Sequence, residues 1–163
     1  MVVWIIGLSG SGKTFFAKKI FENYKNKKKI ITIDGDEVRK YITYRLKYNI
    51  SDRKKNSLII SDLCRYLESK GYIVICSILS IFRSHQKRNR KIFKDYIQVY
   101  IKSSLKILQK RNNKSIYSKK NVVGQDMKFP EPFKSHIIIN NQYDKNYKIY
   151  LKKIIKKINA KIN

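Results

Sequence analysis

Eight residues near the start, Gly7-Leu8-Ser9-Gly10-Ser11-Gly12-Lys13-Thr14, constrain the fold of this chain more than any other segment. They fit the pattern G-x-x-x-x-G-K-[ST], a turn that works when it joins a strand to a helix. Upstream, Val2-Val3-Trp4-Ile5-Ile6 is a short apolar run suited to a buried parallel strand. Downstream, Phe15, Phe16, Ile20 and Phe21 with interspersed lysines give a helical pattern. Strand, turn and helix together aim successive backbone N–H groups, those of Leu8, Ser9 and Ser11 among them, at one point near a helix N-terminus. Gly7, Gly10 and Gly12 let the backbone curl there without Cβ clashes. Lys13 is placed to reach the β- and γ-phosphates of a nucleotide, and the Thr14 hydroxyl to hold Mg²⁺. ATP or GTP is the expected ligand.

Beyond this turn, strands and helices alternate. Ile30 to Ile33 predicts a second strand, and helical stretches are expected over about 36–46 and 53–70, the latter ended by Gly71. Tyr72 to Cys76 predicts strand three, Tyr96 to Ile101 strand four and Ser103 to Arg111 a short helix. Residues 112–135 hold both prolines and read as an irregular segment; His136 to Ile139 is strand five, with no special role for His136. A lysine-rich helix over about 143–162 closes the chain. The expected fold is α/β, a P-loop NTPase-type parallel five-stranded sheet with helices on both faces, in one domain.

The 163 residues carry 38 Lys plus Arg against 11 Asp plus Glu, a formal net charge of +27. Such a balance would suit a nucleic-acid binder, and a non-enzymatic P-loop protein of that kind is the alternative class. The lysines are spread along the chain amid abundant Asn, Ile and Tyr, which is the composition AT-rich coding sequence yields by drift. A solvated basic surface, with no nucleic-acid groove, is therefore expected. No apolar run approaches membrane-spanning length and no signal-peptide pattern opens the chain, so a cytoplasmic protein is expected. Cys64 and Cys76 lack metal-ligand spacing and read as small buried hydrophobes. The apolar stripe Leu151, Ile154, Ile155, Ile158 and Ile162 predicts that the last helix docks on the sheet rather than on a membrane.

A second chemical cluster follows strand two: Asp34-Gly35-Asp36-Glu37-Val38-Arg39. Residues just past the carboxyl ends of parallel strands line the ligand crevice. There one carboxylate can accept the proton of an attacking hydroxyl, and the other can assist Mg²⁺. Arg39, a helical turn on, can clamp an acceptor phosphate. Asp36 could also cap the helix that starts here.

With these residues in view the sequence resembles the adenylylsulfate kinases. The resemblance runs from the P-loop and Ile33-Asp34-Gly35-Asp36-x-x-Arg39 through Asp52-Arg53-x-x-Asn56, Ser77-Ile78-Leu79-Ser80-x-Phe82-Arg83, Val99-Tyr100-Ile101 and Arg111-x-x-Lys114-x-x-Tyr117. It implies ATP- and Mg²⁺-dependent phosphorylation of the ribose 3′-hydroxyl of a nucleotide, by a homodimer. It implies Asp36 as base and Asp34 as its magnesium-side partner. Arg39, Arg53 and Asn56 become the acceptor clamp; Ile78, Ser80, Phe82 and Arg83 the loop under the acceptor; Arg111 and Lys114 the lid over ATP, with Lys114 also near the acceptor. The serine at the Ser80 position has been proposed in the family as a phosphorylated intermediate. Direct in-line transfer is preferred here, since a carboxylate base and Mg²⁺ suffice.

Departures from the family pattern cluster where the acceptor should bind. Leu-Gly-Phe-Ser before Asp-Arg is Leu46-Lys47-Tyr48-Asn49 here, and Ile81 stands where a proline is expected. The segment after the lid tyrosine is shorter, and Val122-Val123-Gly124-Gln125-Asp126 replaces Phe-Thr-Gly-Ile-Asp. That phenylalanine belongs to the aromatic sandwich on adenine. Tyr48 and Phe82 are the rings expected on the acceptor base. A changed acceptor is implied, and the cytidine diphosphoramidate kinase branch, which serves phosphoramidate-modified capsule biosynthesis, fits it because a single-ring base needs less cover. Adenylylsulfate itself is the alternative acceptor.

Overall fold

The computed structural model describes residues 1–26, 28–42, 45–111, 116–118, 120–143 and 146–162. Five strands, β1 (Val2–Ile6), β2 (Ile30–Asp34), β3 (Ile73–Ile78), β4 (Tyr96–Lys102) and β5 (Ile137–Asn140), form one sheet in the order β2-β3-β1-β4-β5. Every pairing is parallel, with Val3 opposite Ile75 on one side of β1 and opposite Ile97 on the other. Central position explains the unbroken apolar run of β1, all five residues of which are buried. Successive side chains point to opposite faces, so Val3 and Ile5 enter one core and Val2, Trp4 and Ile6 another.

Helices α1 (Lys13–Tyr24) and α6 (Tyr147–Ile162) cover the first face. Ile154 and Ile158 of α6 are fully buried there, and the Tyr24 hydroxyl donates to Asn159 Oδ1 at 2.5 Å. The last helix is thus docked on the sheet, as its stripe predicts, though it begins at Tyr147 rather than near 143. Tyr143 instead adopts a left-handed backbone, φ 61°. Helix α3 (Ile50–Ser69) covers the second face through Ile60 and Cys64. Cys64 and Cys76 are both buried free thiols in this core, and burial pushes the Cys76 thiol well up from its usual range. Gly71, φ 82°, closes the end of α3, its N–H reaching Glu68 O at 2.9 Å. No helix among the described residues is long and apolar enough to cross a membrane.

Two further differences from expectation concern the segments that follow β2 and β3. The helix expected over 36–46 is the shorter α2 (Gly35–Tyr41). The chain turns extended at Ile42 and returns to α2, where Arg39 Nη1 donates to Lys47 O at 2.5 Å. A helix at 83–92, α4 (Arg83–Ile92), has no counterpart in the sequence reading. Its buried positions are His85, Gln86 and Asn89, so it lacks an apolar stripe altogether. Polar bonds replace that stripe: Gln86 Nε2 donates to Ser80 O at 3.0 Å and Gln86 Oε1 accepts from Phe133 N at 2.7 Å. Asn89 Oδ1 accepts from Ser61 Oγ at 2.5 Å, and His85 Nδ1 lies 3.1 Å from Ser57 Oγ. His136 also takes a structural role, its Nδ1 accepting the Gln98 N–H at 2.8 Å.

Candidate active site

β1 delivers the glycine-rich turn at the point where the strand order reverses, between β3 and β4. Gly10 (φ 78°) and Gly12 (φ 99°) take left-handed conformations that other residues adopt at a cost. Gly7 is required for space: a Cβ there would fall 2.7 Å from Ile101 O. Gly12 caps α1, whose first two residues are Lys13 and Thr14. Lys13 Nζ donates to Leu8 O at 2.8 Å, so the ammonium spans the turn it must serve. Three further side chains grip the outside of the same turn. Tyr117 OH donates to Ser9 O at 2.8 Å, Tyr143 OH to Gly10 O, and Asn141 Nδ2 to Ser11 O at 2.9 Å. Ser11 itself is wholly buried.

Asp34 ends β2 and caps α2, accepting the Asp36 N–H at Oδ1, 2.9 Å. The cap is therefore Asp34 and not Asp36, which leaves the Asp36 carboxylate exposed toward the crevice. The other Asp34 oxygen, Oδ2, accepts from Thr14 Oγ1 at 3.0 Å. One aspartate thus joins the P-loop helix to the helix carrying Asp36.

A cavity of about 370 Å³ lies along these strand ends, with Gly12, Lys13, Thr14, Asp34 and Asp36 in its wall. Its far side is built from Arg39, Tyr48, Arg53 and Asn56 together with Ser77 and Ile78, which belong to a β3 that starts one residue later and ends two residues later than its sequence pattern predicts. Two guanidiniums lie against the Tyr48 ring, Arg39 Cζ at 4.7 Å and Arg53 Cζ at 5.3 Å from its centroid. Arg53 also joins two segments, Nε donating to Tyr48 O at 2.7 Å and Nη2 to Asn121 O at 3.0 Å. Burial lowers the Arg53 pKa from its ordinary value and Arg39 adds to this, while Asp36 opposes both; a guanidinium still stays charged at any physiological pH. Asn56 Nδ2 donates to Gly35 O at 3.3 Å. Asn56 Oδ1, Ser77 Oγ and Arg39 Nε are buried with no hydrogen-bond partner among the described residues, capacity that an acceptor could use. Asp52 steadies the Tyr48 loop by accepting from Lys47 N at 2.9 Å and Asn49 Nδ2 at 3.0 Å. The Lys47 bond foremost holds its carboxyl below the usual range.

The third wall follows β4. Arg111, at the end of α5 (Leu105–Arg111), reaches the cavity and stacks on Tyr143 with Cζ 4.0 Å from the ring centroid. Tyr117, Val122 and Val123 complete this side, and both valines are buried. Lys114 lies outside the described residues.

Not every residue assigned to the site reaches the cavity wall. Ser80 is 1% exposed and is not among the lining residues; its carbonyl is held by Gln86. Phe82 packs on His85, ring centroids 5.1 Å apart, and Arg83 Nε donates to Glu131 O at 3.2 Å, both away from the lining. Of the two rings expected on the acceptor base, Tyr48 alone lines the cavity. Gly7, Leu8 and Ser11 support the turn from behind. Sequence reasoning missed Asn141 and Tyr143, which follow β5 and bond the P-loop carbonyls without lining the cavity.

A phosphate cradle continuous with an aspartate-bearing acceptor pocket defines a P-loop phosphotransferase. The adenylylsulphate kinase family model matches residues 1–140. The chain belongs to that family, ATP-dependent phosphotransferases acting on a nucleotide hydroxyl. It is 33% identical over 164 residues to the cytidine diphosphoramidate kinase of Campylobacter jejuni subsp. jejuni serotype O:2, covering 96% of this chain and 95% of that one. It is 29% identical over 152 residues to a probable adenylyl-sulfate kinase of Archaeoglobus fulgidus, covering 89% and 97%. The solved Mycobacterium tuberculosis APS kinase CysC, in complex with AMPPNP and APS, shares the fold with TM-score 0.87 and 22% identity, covering 97% and 96%.

Proposed function

We propose that the protein transfers the γ-phosphate of ATP to the ribose 3′-hydroxyl of cytidine diphosphoramidate. The observation that carries the choice of base is the acceptor wall, where one ring, Tyr48, is tied through Arg53 to the segment of Val122. An aliphatic residue stands where the family places a second ring, and Phe82 does not supply one. A single-ring base needs no more cover than this. The similarity to the Campylobacter jejuni enzyme over nearly the whole of both chains supports the same reading.

In this reading Asp36 accepts the proton of the 3′-hydroxyl. The hydroxyl oxygen forms the new bond to the γ-phosphorus in line, and the bond to the β–γ bridging oxygen breaks to release ADP. Lys13 and the P-loop amides hold the phosphates. Thr14 and Asp34 offer hard oxygens 3.0 Å apart, which fit Mg²⁺; when bound, it neutralises phosphate charge. Arg39, Arg53 and Asn56 orient the acceptor, and Arg111 belongs to the lid over ATP, to which the family resemblance adds Lys114. Ser80, enclosed behind the wall, takes no covalent part. The protein works in the cytoplasm as a homodimer, in capsule phosphoramidate synthesis.

The test is ADP release with ATP and Mg²⁺ in the presence of each acceptor. Cytidine diphosphoramidate should give the higher kcat/KM. A preference for adenylylsulfate would establish the alternative, a shortened adenylylsulfate kinase of sulfate assimilation, which the many adenylyl-sulfate kinase relatives favour. Salt-sensitive retention of oligonucleotides without acceptor-dependent ADP formation would remove both.

A further inference from the structure

Four consecutive P-loop carbonyls each accept a bond from a side chain. Leu8 O takes Lys13 Nζ, Ser9 O takes Tyr117 OH, Gly10 O takes Tyr143 OH and Ser11 O takes Asn141 Nδ2. Lys13 is part of the motif, but the other three donors come from segments more than a hundred residues away in sequence. In a peptide unit the N–H and C=O point in opposite directions, so fixing the Ser9, Gly10 and Ser11 carbonyls fixes the amides that follow them, those of Gly10, Ser11 and Gly12, the Ser11 N–H being held in turn by Leu8 O at 3.1 Å. The grip is also fitted to the glycines. A Cβ on Gly12 would fall 2.9 Å from Asn141 Nδ2, so this glycine leaves room for the residue that holds its neighbour.

Asn141 and Tyr143 form one unit, since Asn141 Oδ1 accepts from Tyr143 N at 3.1 Å. That bond holds Tyr143 at its left-handed φ of 61°, a backbone an aromatic residue seldom adopts unless its surroundings enforce it. The Tyr143 ring at the same time carries Arg111, and Tyr117 sits beyond α5 in the lid segment. We infer that Tyr117, Asn141 and Tyr143 are positioning residues that set the P-loop amides for triphosphate, and that they tie this geometry to the lid. They act through the P-loop backbone. This role is independent of which acceptor the enzyme uses.

The experiment measures binding of ATP and of inorganic tripolyphosphate, a probe with no base to stack, to wild type, Tyr143→Phe, Tyr117→Phe and Asn141→Leu. Tyr143→Phe keeps the ring under Arg111 and removes the hydroxyl, with its bond to Gly10 O and its contact with Ser103. Each variant should weaken both ligands by the same factor, about three- to tenfold for one hydrogen bond to a carbonyl, with the acceptor KM unmoved. Adding Tyr143→Leu should weaken ATP further while leaving tripolyphosphate at the Tyr143→Phe value. Unchanged tripolyphosphate binding in Tyr143→Phe and in Asn141→Leu would overturn the inference. So would a loss of melting temperature with phosphate affinity intact, which is what a purely structural bond would give.

Discussion

Arg53→Lys isolates the geometry of the acceptor wall from its charge. The guanidinium fork reaches two carbonyls at once, Tyr48 O at 2.7 Å and Asn121 O at 3.0 Å, and an ammonium on a flexible stem can replace one of these at most. A hydrogen bond from a charged donor is worth about 1.5–3 kcal/mol, and the lower end applies because Arg53 is only half-buried. The stack on Tyr48 contributes about 0.5–1 kcal/mol more at such a site. Arg39 keeps the other guanidinium on the ring at 4.7 Å, so the platform is weakened and not lost. The total, about 2 to 2.5 kcal/mol, corresponds to a roughly 30- to 70-fold fall in kcat/KM for the acceptor. Steady-state kinetics with each substrate varied in turn should place the fall there, with KM for ATP within about twofold of wild type. A fall of less than threefold, or an equal change in KM for ATP, would refute the idea that Arg53 acts by bracing the acceptor wall.

Asp36→Asn should lower kcat by about 10²- to 10⁴-fold at nearly constant ATP affinity, as loss of a general base does; near-normal turnover would move the base elsewhere. Asp34→Asn, which breaks the pairing with Thr14, should show itself in Mg²⁺ titrations of activity as a raised requirement. Asp52 has a folded pKa below its unfolded one, so its contribution is complete above the ordinary carboxylate range and is lost as pH falls through the lowered value. Acceptor KM should therefore be flat with respect to this group from neutral pH to about pH 5, and Asp52→Asn should raise it throughout that range; an effect confined to pH above 7 would contradict the sign. Val122→Phe should reduce kcat/KM for cytidine diphosphoramidate by crowding and improve adenylylsulfate by at most about 1–3 kcal/mol, read as the ratio of the two on both proteins.

Much of the donor half was legible because it is local. The P-loop, its strand and its helix occupy one run of 23 residues, Val2 to Tyr24; β1 has the expected bounds, and α1 contains the helical pattern read after the turn. Asp34 and Asp36 were legible through their place after a strand. The acceptor half is built by long-range bonds, and those leave little periodic trace. The α2 pattern runs past Tyr41, yet the tie between Arg39 and Lys47 ends the helix there. Ser80, Phe82 and Arg83 were assigned by resemblance, but whether a loop faces inward depends on the helix behind it. That helix, α4, was invisible because an apolar period is the signal for a buried helix and its buried face carries histidine, glutamine and asparagine.

That polar face has an evolutionary consequence. Leucines on a helix tolerate exchange for other hydrophobes, since dispersion forces have little direction; amide bonds to backbone do not. Gln86 holds Ser80 O with one end and Phe133 N with the other. An apolar replacement at 86 orphans two backbone groups at once, and even glutamate keeps only the bond from Phe133 N. The Leu79–Phe82 loop is thereby pinned from behind the cavity, and of its residues Leu79 alone reaches the lining. In the proposed reading a different acceptor is met from the rim around Tyr48 and Val122, whose side chains line the cavity directly.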